Sequence, residues 1–248
     1  MIAKGAPNDR LLPPRRGDGK GRASALSSSA VNGRFKPAVA VAALGALITW
    51  AGLILQFFLT LGSALARGLG LLEGIALYLA YFTILTNLLV ALALTAFAAR
   101  PRSTLGQFFR RADVCTALAA AIAFVSLGYI VLLRGQWQPE GLYLAADAAL
   151  HYLSPLAFLV TWWLVLPGGR ASWRIVPIAL IYPLAYLLYV LARGALTGFY
   201  PYPFFDVAEL GYARVLTSTA AMAAAYVVLT IVLVAIARRR NGVHARDL

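Results

Sequence analysis

PAVAVAALGALITWAGLILQFFLTL, residues 37–61, carries no charged side chain over 25 consecutive positions. A bilayer hydrocarbon core takes roughly 20 apolar residues as helix, so this stretch is long enough to cross it. Five more apolar runs follow, at about 75–99, 113–133, 143–166, 173–194 and 212–237, separated by polar or Gly/Pro-rich breaks. Backbone amides facing lipid have no water to bond, so each run is read as one continuous helix. Composition agrees: 61% of the 248 residues are hydrophobic and 12% charged, against about 45–50% and about 25% in an ordinary soluble domain. The expected fold is an all-α integral membrane protein, a bundle of six transmembrane helices. Runs of this length exclude a β-barrel, whose strands need only about 9–11 residues.

If the six runs alternate across the membrane, 18 of the 22 Lys and Arg residues fall on one side. They include the N-terminal segment, Arg100, Arg102, Arg110 and Arg111 after the second run, and the end of the chain. Arg67, Arg134, Arg193 and Arg214 make up the other side. The positive-inside rule then puts both termini in the cytoplasm, and an odd number of spans would mix the two sets. The net charge of +13 is therefore read as a topology signal, with contact to anionic lipid at the cytoplasmic face and no nucleic-acid partner. The expected location is the plasma membrane, the inner membrane of a bacterium.

Residues 1–36 contain RLLPPRRGDGKGRAS and no helical period. They are expected to form a disordered basic cytoplasmic tail, followed by the transmembrane domain at 37–237 and a basic cytoplasmic C-tail at 238–248. The first apolar run lies too far in, and is too long, for a signal-peptide core. The single cysteine, Cys115, excludes an intrachain disulfide framework and a cysteine-cluster metal site. Of two histidines, His151 lies in a span and His244 in the tail, which excludes haem held by two membrane imidazoles and a three-histidine zinc site. No cofactor or metal is expected, and nothing in the sequence names a protein partner.

Polar side chains inside spans are expensive and usually face the bundle interior. The second run holds Tyr81, Thr83, Thr86 and Asn87, and the fourth holds Asp147, His151, Tyr152 and Ser154. Thr83 and His151 each lie about 12 Å into their runs at the helical rise. Both runs start on the outer side, so the two residues are at matching depth. Thr83 and Asn87 are four apart, as are Asp147 and His151, so each pair shares a face and the two faces can meet. Thr and Asn also serve as interhelical glue in membranes, and Ser154-Pro155 reads as a kink rather than a nucleophile.

Three patches resemble the androgen-induced-gene membrane proteins, hydrolases of fatty acid esters of hydroxy fatty acids, and their bacterial Pr-six-Pr relatives. The first is YFTILTN at 81–87, similar to the Tyr-x-Thr segment of the family, whose Thr is its proposed nucleophile. Thr83 is the match. The second is DAALH at 147–151, similar to Asn-x-x-x-His, whose His is the other catalytic residue; here Asp147 stands where the family has Asn. The third is TGFYPYPF at 197–204, similar to Thr-Gly-x-x-x-Tyr-Pro-Phe and the most specific string. The resemblance covers about residues 40–237, with the same helix count and order.

The expectation that follows is an intramembrane hydrolase of a membrane lipid or fatty-acid ester. His151 serves as general base to a Thr83 nucleophile, and Asp147 orients the imidazole. Amides in mid-helix are already bonded, so the oxyanion donor is expected to be a side chain, Asn87 first and Tyr152 second. Tyr200, Tyr202, Phe204 and Phe205 are expected to form an aromatic rim or lid at headgroup level. The alternative from another class is a non-enzymatic lipid-binding or transport protein using the same polar cluster. No internal repeat of the transporter kind is visible.

Overall fold

The computed structural model describes residues 19–100, 103–136, 138–165 and 171–244, with side chains from residue 37 to 239. Among the described residues there is no strand. The helices are α1 (Gly19–Ala66), α2 (Leu71–Tyr78), α3 (Phe82–Ala99), α4 (Thr104–Phe109), α5 (Ala112–Gly128), α6 (Gly141–Ala148), α7 (Ser154–Val165), α8 (Ile175–Thr197) and α9 (Val207–His244). A π-helical turn, Tyr129–Leu133, extends α5, and a second, Ala149–Leu153, joins α6 to α7. Six stretches are long and apolar enough to cross a membrane: Pro37–Ala66, Phe82–Ala99, Ala112–Leu133, Gly141–Val165, Ile175–Thr197 and Val207–Arg239. Each overlaps one of the six sequence runs, so the chain is a six-span, all-helical, multi-pass membrane protein.

The second run is not the one continuous helix expected. It breaks at Leu79–Tyr81, where Tyr81 adopts φ −91° and ψ 131°, and α3 starts afresh at Phe82. Irregular backbone at membrane depth is tolerated where protein covers it, as it does at the centre of the break. Ala80 is fully buried and its carbonyl accepts from the Tyr186 hydroxyl at 2.9 Å. Just before the break, the Tyr78 hydroxyl donates to the Leu53 carbonyl at 2.9 Å.

The chain ends also differ from the expected boundaries. Residues 1–18 and 245–248 lie outside the described residues, but 19–36 continue α1 as helix. Ala23, Ala25, Leu26 and Ala30 are good helix formers, and adding turns to an existing helix avoids the cost of a new nucleus. In the same way α9 runs on past residue 237.

α1 packs on α3 and α7, and α5 on α3, α7 and α9. Small residues allow the closest approaches, as membrane packing favours. A Cβ at Gly45 would lie 2.7 Å from that of Ala157, and one at Gly52 would lie 2.8 Å from that of Ala149. α3 is the most enclosed of the six spans, which is why it can carry Thr83, Thr86 and Asn87 away from lipid.

Candidate functional site

Three backbone devices bring the polar residues together. The first is the break before α3, which leaves Thr83 in the opening turn of a helix. The first amides of a helix lack intrahelical acceptors, and the Thr83 N–H points at the Tyr202 hydroxyl oxygen at 3.4 Å.

The second device is the π turn Ala149–Leu153, which carries His151. Pro155 has no N–H, so it can serve neither the carbonyl four residues back, that of His151, nor the one five back, that of Leu150. Neighbouring helices supply the donors instead. Ser126 donates to the His151 carbonyl at 2.8 Å, and the Asn87 amide donates to the Leu150 carbonyl at 3.2 Å. The turn is thereby pinned to α5 and α3. π turns inserted in helices recur at functional sites.

The third device is the loop between α8 and α9. Gly198, at φ 71°, ends α8 in the left-handed conformation with its N–H on the Gly194 carbonyl, as helix C-termini favour. Tyr200 then packs directly over Gly194, where no side chain has room. The chain turns inward, and Tyr202 and Phe205 are buried.

At the centre, Thr83 Oγ1 lies 3.4 Å from His151 Nε2 and 3.4 Å from the Tyr202 hydroxyl. His151 Nδ1 lies 2.9 Å from Asp147 Oδ1. That contact is oblique to the ring N–H, so it orients the imidazole without forming an in-line hydrogen bond. Tyr129 stacks on the imidazole at 3.9 Å between centroids and 15° between planes. Its hydroxyl donates to the second Asp147 oxygen at 2.8 Å. Burial pushes the Tyr202 phenol up to about 12 from its ordinary 10.0, so its proton stays in place at physiological pH.

Thr83, His151 and Asp147 therefore meet as the spacing predicts. Asn87 does not have the expected role. Both its amide hydrogens are committed, to the Thr83 carbonyl at 2.9 Å and to that of Leu150, and its oxygen accepts from Ser154 at 2.6 Å. It has no donor left for a substrate oxygen. Tyr152 sits edge-on to Tyr129 and does not line either cavity described below. Thr86 bonds Tyr182 at 2.9 Å, away from His151. Of the aromatic loop residues, Tyr200 packs over Gly194 and Tyr202 and Phe205 are buried. Phe204 stacks on Tyr202 at 5.1 Å and 7°.

Tyr129 and Ser126 lie in the third run, outside the polar patches of the second and fourth runs that point to the site. A signal existed: a buried Asp147 needs donors beyond one imidazole, and Tyr129 lies near the C-terminal end of the third run.

Two cavities meet at Thr83. One, of about 530 Å³, reaches the site from the C-terminal end of α1, with Gln56, Thr60, Ser63 and Arg67 on one wall and Asp147 and His151 on another. Gln56, Thr60 and Ser63 fall at steps of four and three on one face of α1, and Arg67 follows just past its end. The other, of about 90 Å³, is apolar and lined by Phe82, Phe124, Leu184, Leu187, Phe204 and Tyr226 among others. Thr83, Tyr129, Leu133 and Tyr202 line both. No family model, curated protein or solved structure matches this chain. Its chemistry is argued from the site itself.

Proposed function

We propose that the chain is an intramembrane lipid-ester hydrolase of the plasma membrane, with both termini in the cytoplasm and the site in the outer half of the bundle. The observation that carries the reading is the alignment of Thr83 Oγ1, His151 Nε2 and Asp147, a hydroxyl, a base and a base-orienting carboxylate in sequence. The 3.4 Å separation suits a resting site, whose catalytic hydrogen bonds are commonly loose until substrate arrives. The three motif resemblances, and the junction of an apolar with a polar cavity at Thr83, fit an amphiphilic ester.

In the first half-reaction Thr83 Oγ1 bonds to the ester carbonyl carbon while its proton passes to His151 Nε2, and the carbonyl π pair moves to oxygen. The carbon–alkoxy bond then breaks, and the leaving alkoxide takes the proton from Nε2. In the second half-reaction water adds to the acyl carbon and gives its proton to Nε2, and that proton returns to Thr83 Oγ1 as the acyl bond breaks. Ester and water become acid and alcohol. Asp147 holds the ring and balances the imidazolium formed between transfers.

A fluorophosphonate probe tests the reading directly. The purified wild-type protein is expected to take up the label on Thr83 with loss of fluoride, and Thr83→Ala to take up none. Equal labelling of the two proteins, or none of either, removes the hydrolase reading.

A further inference from the structure

We infer that the Tyr202 hydroxyl, together with the Thr83 N–H, is the donor pair that holds the oxyanion of the tetrahedral intermediate. The inference rests on the hydrolase reading of the same site and adds the residue that stabilises the developing charge.

The elimination is short. The adduct oxygen is joined through one carbon to Thr83 Oγ1, so its donors must be groups that already crowd that atom. Among the described residues two side chains hydrogen-bond to Oγ1, those of His151 and Tyr202. His151 is occupied by the proton in transit. Asn87, the donor expected from sequence, has both hydrogens on carbonyls. Tyr202 remains, and in the resting state its oxygen accepts the Thr83 N–H at 3.4 Å. A carbonyl oxygen sliding between the two takes both hydrogens, one from the phenol and one from the amide.

The phenol is held for that task. Its ring is stacked on Phe204 and meets Tyr81 and Phe205 edge-on at 5.6 and 6.0 Å. Burial keeps its hydroxyl protonated. Donors fixed before reaction are worth most, because nothing reorganises when charge appears. The loop therefore serves the reaction directly, through an atom placed beside the nucleophile.

The test uses the full-length protein in detergent, with 4-nitrophenyl decanoate as substrate and a decyl trifluoromethyl ketone as a mimic of the tetrahedral adduct. Tyr202→Phe is expected to lower kcat about 10²–10³-fold, the loss typical of one oxyanion donor, with KM little changed. Affinity for the ketone should fall by the same factor as kcat/KM. Wild-type kcat in Tyr202→Phe, or a change confined to KM, overturns the inference and leaves the hydrolase reading standing. An inert wild-type protein, with Thr83 unlabelled by fluorophosphonate, overturns both. Should Tyr202→Phe melt markedly lower, 3-fluorotyrosine at position 202 replaces it in the test. It fills the same space with a more acidic hydroxyl, and should move the alkaline limb of kcat to lower pH; a limb that stays put overturns the inference.

Discussion

His151 is fixed at three points that do different things. Its carbonyl is tied to Ser126, one ring nitrogen rests against Asp147, and one ring face lies on Tyr129. Removing the imidazole takes away proton transfer but leaves Asp147 its hydrogen bond from Tyr129. His151→Ala is therefore expected to lower ester turnover about 10²–10⁴-fold with melting nearly unchanged, read on one purified variant by turnover and thermal unfolding. Turnover at the wild-type rate would remove His151 from the chemistry. Asn87 predicts the reverse. Asn87→Leu strips donors from two buried carbonyls and an acceptor from Ser154, and unpaired buried groups cost about 1–3 kcal/mol each. A large drop in melting temperature is expected, and a variant as stable as wild type would contradict the network described. The contrast shows what single residues disclose. Thr83, Asp147 and His151 were legible because four-residue spacing fixes which side chains share a helix face. The role of Asn87 was not, because it depends on Pro155, on another helix and 68 positions away.

At the level of the helix, the site is made where regular geometry fails. α3 begins late, and α6 passes to α7 through a π turn, and both departures are paid for by side chains from elsewhere. Hydropathy marks where spans lie but averages over such turns, so the sequence runs were right in place, and of the six only the second was wrong in continuity. The break at Leu79–Tyr81 needs Tyr186, and the π turn needs Asn87 and Ser126; these partners become neighbours only after folding. Pro155→Ala restores an N–H that can bond either carbonyl and lets the turn relax toward α geometry, rotating His151 relative to Thr83. The expected outcome is loss of turnover at unchanged or higher melting temperature. A variant with wild-type kcat would show that the π turn is incidental to the site.

For the molecule as a whole, six spans and an all-helical bundle follow from composition and run length. Both are insensitive to side-chain detail, and for that reason they were legible. Orientation rests on charge alone, and is checked by reporter fusions. A fusion after Leu248 is expected to be active only as a cytoplasmic reporter, and one inserted between residues 200 and 209 only as an exported reporter. The opposite pattern would turn the polar cavity and its Arg67 to the cytoplasm. The depth match of Thr83 and His151 survives either orientation, since it depends on where the helices start and not on which side of the membrane they start from.

The pairing of Pro155 with Asn87 and Ser126 bears on how such a chain can change over generations. The two donors are needed because position 155 offers none. A descendant that regains an N–H there would free Ser126 to drift but would still need Asn87 for the Thr83 carbonyl and Ser154, while one that loses either donor first would carry an unsatisfied carbonyl in the bilayer. For Ser126 the viable order of substitution is thus fixed, with the proline going first, and positions 126 and 155 should be inherited together.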